Sequence, residues 1–300
     1  DGVCSNNGGG ELAVLRVAVG GREGWLGSKR SSHVDAVGGE GLAVPCDLSR
    51  PAQISEAVQK VLDKFGCIDV LVNNASAHYS FGIESLEEKR FDLMNHLNVR
   101  GTFFLTREVI PHMNTALPHV LTVAPVPIAD RTWIGTTTCY STSKIAMGML
   151  TAAWSTEFPC ICFNSIWPQR AVATFAITNT FQIDIGNAVT VAHVADPAYR
   201  IVTSQSRMRF CKDADVLEGM AISDISAWKV DPSSQGLADD FMIEPLGLKA
   251  GQRVGYLPLP RKNIPLSVSD KRVLLVGVND TTNGMKDAIN AAGASSVTTN

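Results

Sequence analysis

Apolar and polar residues alternate along this chain in blocks whose periods separate strands from helices. The segment PAQISEAVQKVLDKFG (51–66) places Ile54, Val58, Val61 and Leu62 at helical spacing, with Pro51 opening it and Gly66 closing it. LAVPC (42–46), IDVLVN (68–73), HVLTVAPV (119–126) and CICFNSIWP (160–168) are short apolar runs that stop at polar or turn residues. Runs of that kind predict strands buried on both faces. Between them, residues 84–114 predict a long helical stretch, and TSKIAMGMLTAAWSTEF (142–158) a helix rich in small residues. ELAVLRVAV (11–19) also predicts a helix, because Leu12, Leu15 and Val19 recur at its period.

Strand and helix in alternation predict an α/β fold, a doubly wound parallel sheet of Rossmann-like type covered on both faces. Right-handed crossovers then leave a ligand crevice at the C-terminal ends of the strands. Asp47, Asn73, Asn74, Ala124 and Pro168 fall at those ends. The texture changes near residue 230, which divides the chain into a domain at 1–230 and a segment at 231–300. The second part begins with linker-like DPSSQGLADD (231–240) and proline-rich GYLPLPRKNIPLSVSD (255–270). It ends with RVLLVG (272–277) and MKDAINAAGA (285–294), which read as a strand, a loop and a helix.

A formal charge of −3 gives no electrostatic case for nucleic acid as a partner. The seven cysteines show no metal-ligand spacing and no disulfide framework. They fit an intracellular, reducing compartment, of which the mitochondrial matrix is one, and no metal is expected. No apolar run reaches the roughly 20 residues of a transmembrane segment.

CDLS (46–49), IDVLVNNAS (68–76), LNVRGTFF (97–104), YSTSK (140–144) and FNSIWPQRAVAT (163–174) occur in order and at characteristic spacing. In this set the chain resembles the short-chain dehydrogenases/reductases, most of all their hydroxysteroid-dehydrogenase-like branch, over roughly residues 3–220. The resemblance implies NAD or NADP as cofactor. It makes Tyr140 the acid/base and Lys144 the cation that assists it and holds the nicotinamide ribose. A phenol with a pKa near 10 needs such a cation to act at neutral pH. It also makes Asn98 part of the proton relay, and sets Gly8, Gly10, Asp47, Asn73, Asn74, Pro168 and Thr174 around the dinucleotide.

Two departures stand against that pattern. The family's catalytic Ser falls on Ala124 in one register and on Pro127 in the other, and neither side chain donates a hydrogen bond. Thr122 and Thr136 to Thr138 are the hydroxyls near enough in sequence to replace it. In the glycine loop, read as VCSNNGGG (3–10), Cys4 stands where the first glycine belongs. The apolar strand that leads into this loop would precede Asp1, so the first strand is expected to be missing. We therefore expect a degenerate active site, in a weakly active or non-catalytic accessory subunit with protein partners or copies of itself. The alternative is an NAD(P)-dependent oxidoreductase acting on a carbonyl or alcohol. Lys29 and Arg30, placed near the end of the second strand, favour NADP. RVLLVG (272–277) is expected to fill the vacant central slot, in this chain or a neighbour's, between IDVLVN and LAVPC; the alternative is a separate small βα appendage or the start of a second repeat.

Overall fold

The computed structural model describes residues 16–21, 40–79, 83–113, 115–125, 137–174, 185–220, 224–234 and 272–276. Seven strands form one sheet: β1 (Arg16–Gly21), β2 (Glu40–Pro45), β3 (Val70–Asn73), β4 (His119–Val123), β5 (Cys162–Trp167), β6 (Arg209–Lys212) and β7 (Arg272–Val276). Their order is β2-β1-β7-β3-β4-β5-β6, and every pairing is parallel.

In the doubly wound order, the first strand in sequence lies centrally, between the second and the fourth. Here the last strand takes that place. β7 pairs with β3 (Leu71 opposite Leu274) and with β1 (Val17 opposite Val273). The expected insertion of 272–277 beside IDVLVN is therefore found, but its other neighbour is β1, with LAVPC one strand further out. β1 itself corrects the helix expected over 11–19. RVAVGG is rich in β-branched Val and in Gly, both poor helix formers, and a central parallel ladder outweighs a faint helical period. β1 also ends at Gly21, well before Lys29 and Arg30, which lie outside the described residues.

Alternation along the strands builds two cores. Val70, Val72, Leu121 and Ile166 pack on one side with Val194, Ala198 and Ile201 of α5 (Ala192–Val202). Leu71, Val120 and Phe163 pack on the other side, with Ile54, Val58, Val61 and Phe65 of α1 (Pro51–Phe65). Phe65 joins the buried stripe of α1 in place of Leu62, which is only partly buried. Gly66 ends that helix at φ +84°, its N–H donating to the Leu62 carbonyl at 2.8 Å. The long helical stretch is α2 (Glu88–Met94), a π-helical turn over Asn95–Gly101, and α3 (Thr102–Val109). Gly101 lets this helix approach the turn after β2, since a Cβ there would lie 3.0 Å from Leu48 Cβ. Among the described residues, the remaining α-helices are α4 (Thr138–Glu157) and α6 (Asp213–Gly219). Among the described residues, no helix is long and apolar enough to cross a membrane.

Candidate active site at the C-terminal edge of the sheet

Tyr140 and Lys144 stand one turn apart near the start of α4, so their side chains leave the helix in similar directions. The Lys144 side chain is buried, and its ammonium donates to the Val123 carbonyl, the last of β4, at 2.9 Å. It lies 5.9 Å from the Tyr140 ring centre and 5.9 Å from the Trp167 ring centre. Ala124 follows β4 directly, is 1% exposed, and donates its N–H to the Ile166 carbonyl. Lys144 is thus held beside the backbone that leads into Ala124, one of the two positions expected for the serine.

Asn98, fully buried in the π-helical turn, joins three elements. Its amide nitrogen donates to Ser143 Oγ at 2.9 Å and to the Ala77 carbonyl at 3.0 Å, and its oxygen accepts from the Ala77 N–H at 2.7 Å. π turns recur where a helix must present a functional side chain out of register. Ser143 passes the connection back to α4 by donating to the Tyr140 carbonyl. Tyr140, Lys144 and Asn98 are therefore gathered at one sheet edge.

Of the hydroxyls considered as replacements for serine, Thr122 and Thr137 are engaged elsewhere. Thr122 Oγ1 accepts from Thr151 in the buried seam between β4 and α4. Thr137 Oγ1 is 2.9 Å from Ser141 Oγ, and the Thr138 side chain is exposed. Thr136 and Pro127 lie outside the described residues.

A residue outside the motifs reaches this site. The His78 ring meets the Tyr140 ring edge to face, with centres 4.3 Å apart. Burial pushes the imidazole down to about 4, and the charge of Lys144 adds to the shift, so His78 is neutral at physiological pH.

The remaining predicted positions divide by role. Asn73 ends β3 and donates to Thr106 Oγ1 at 3.0 Å, pinning the sheet to α3, and Asn74 is buried beside it. The Asp47 carboxylate accepts from the N–H and hydroxyl of Ser49, which shapes the turn into α1. Pro168 and Thr174 are half-buried in the loop after β5. Asp213 fixes that loop by accepting from the Gln169 N–H at 2.9 Å, and it also meets His193 Nδ1 at 2.9 Å with both side chains buried. This anchor was missed in the sequence, although an Asp closing a strand and opening a helix in FCKDAD was its signal.

The family model for short chain dehydrogenases matches residues 14–176. The chain belongs to the short-chain dehydrogenases. The match begins beyond Gly8 and Gly10, which lie outside the described residues. Hydroxysteroid dehydrogenase-like protein 2 of Danio rerio is 32% identical over 217 residues, covering 71% of this chain and 52% of that protein. The Homo sapiens protein of the same name is 31% identical over 219 residues, covering 71% and 52%. The chain thus spans about half the length of the curated relatives it matches. A presumed dehydrogenase from Xanthomonas campestris superposes with a TM-score of 0.70 at 30% identity, covering 80% of this chain and 100% of the other. A short chain dehydrogenase from Mycobacterium thermoresistibile gives 0.67 at 27% identity, covering 75% and 94%.

Proposed function

We propose that this chain is an NAD(P)-dependent oxidoreductase that interconverts a carbonyl and an alcohol without the family's serine hydroxyl. The observation that carries the reading is the Tyr140–Lys144 pair beside Val123, with Asn98 bonded behind it. A helix and a π turn that had lost their chemistry would have no need of a buried lysine aimed at the end of a strand.

The residues present fit a dinucleotide at this edge. Asn73 Oδ1 and Trp167 Nε1, at the ends of β3 and β5, are buried without a hydrogen-bond partner among the described residues. That leaves an acceptor and a donor at the two strand ends for a polar ligand. β1 ends at Gly21, and the next residue in sequence is Arg22, a cation suited to a 2′-phosphate, so NADP is the expected form. When bound, the nicotinamide supplies or takes up the hydride. In the reducing direction Tyr140 gives its phenolic proton to the carbonyl oxygen, and the substrate leaves as the alcohol. Lys144 brings the positive charge that this proton transfer requires, and Asn98 and Ser143 fix the turn of α4 that carries Tyr140. Asp213 positions the 168–174 loop through Gln169.

Ala124 favours a second reading, a fold kept as a non-catalytic accessory subunit. Steady-state oxidation of NADPH and NADH with 9,10-phenanthrenequinone and 2,3-butanedione separates the two. The oxidoreductase reading expects turnover that falls by at least about 100-fold in Tyr140→Phe. Equal background rates for both proteins support the accessory subunit instead.

A further inference from the structure

We propose that His78 is a catalytic residue that takes the place of the missing serine, donating a hydrogen bond to the same substrate oxygen that Tyr140 protonates. The inference rests on the oxidoreductase reading above. The geometry begins at β4, where the residue in the serine's place is a methyl group, 1% exposed. A reaction that builds negative charge on oxygen loses on the order of 10²- to 10³-fold when one preorganised donor is removed. Either that loss is suffered in full, or another donor reaches the oxygen. Thr122 and Thr137 are held in other bonds. The polar ring that the fold does set against Tyr140 is His78, at 4.3 Å between centres.

Its placement is supported from behind. His78 follows Ala77, whose N–H and carbonyl are both bonded to the Asn98 side chain. The residue that braces α4 under Tyr140 therefore also braces the backbone under His78, and the two rings are fixed relative to each other through a single buried amide.

The chemistry suits the task. A neutral imidazole carries one N–H donor, as a serine hydroxyl does, and can polarise a carbonyl without giving up its proton. Burial and the neighbouring Lys144 charge keep His78 in that neutral form. The step stays balanced: hydride arrives at carbon, the Tyr140 proton arrives at oxygen, and His78 keeps its own proton throughout.

The test uses the full chain, 9,10-phenanthrenequinone and NADPH, with wild type, His78→Phe, Ala124→Ser and the double variant. Phe keeps the ring packed on Tyr140 and removes the donor. The expected result is a fall in kcat of about 10- to 100-fold for His78→Phe with a smaller change in KM, and recovery when Ala124→Ser is added. The readout independent of turnover is the ¹⁵N signal of the His78 imidazole, expected to move when the quinone is added without NADPH. A wild-type enzyme that turns over while His78→Phe matches it, or a His78 signal that stays still, overturns the proposal and leaves the oxidoreductase reading standing. Absence of turnover in all four proteins, Ala124→Ser included, overturns that reading and the proposal with it.

Discussion

Position 78 makes a claim about stability as well as catalysis. The imidazole is held at about 4 in the folded chain against 6.5 when exposed, so protons bind the unfolded state first. Stability must fall as pH drops from 6.5 towards 4, by roughly 3 kcal/mol in all, with no further loss from this group below that. Urea midpoints of wild type and His78→Phe across that window check the claim. The variant should lose that part of the slope, and parallel curves would refute it. At this scale the sequence was partly legible. Tyr140, Lys144 and Asn98 could be read through YSTSK and LNVRG, whose place in the ordered motif set carries the family resemblance. His78 was not legible, since its meeting with Tyr140 depends on how the segment after β3 is laid against α4. Asp213 likewise acts across the gap between two strand ends, where no periodicity points.

Among the elements, the π turn decides most. Asn98 makes three hydrogen bonds in a fully buried position, to Ser143 and to both backbone groups of Ala77. Asn98→Leu would strand those backbone groups, at a cost on the order of 2–4 kcal/mol. Urea unfolding should show that loss together with weakened activity, and an unchanged midpoint would show that the bonds carry no load. The long helix over 84–114 was readable from its apolar period, but the π turn inside it was not, because one extra residue in a turn leaves that period almost intact. β1 shows the opposite failure. Three apolar residues at helical spacing in 11–19 predict a helix, while RVAVGG (16–21), which overlaps that window, lies in the sheet. A short window can satisfy two periods at once, and only the neighbouring strands choose between them.

For the whole molecule, β7 is what closes the sheet. It lies between β1 and β3, so removing it would leave two facing strand edges with unpaired backbone groups in the centre of the sheet. A chain ending at residue 234 should therefore lose cooperative unfolding, followed by circular dichroism against urea. A truncated protein with the full-length midpoint would mean that β7 contributes nothing. The place of RVLLVG beside IDVLVN could be inferred because the family resemblance calls for a strand ahead of the glycine loop and this run has the composition of a buried parallel strand. The identity of both neighbours could not, because the apolar period over 11–19 predicts a helix where β1 lies. The completed sheet supports the Tyr140 and Lys144 edge on which the functional account depends. That account is tested most directly by label transfer from [4-²H]NADPH to 2,3-butanedione, whose reduction leaves the label on the carbinol carbon, using both labelled faces of the nicotinamide. Deuteride should pass to the product from one face only, and far more slowly in Tyr140→Phe. Product without deuterium from either face, or equal transfer by Tyr140→Phe, would contradict it.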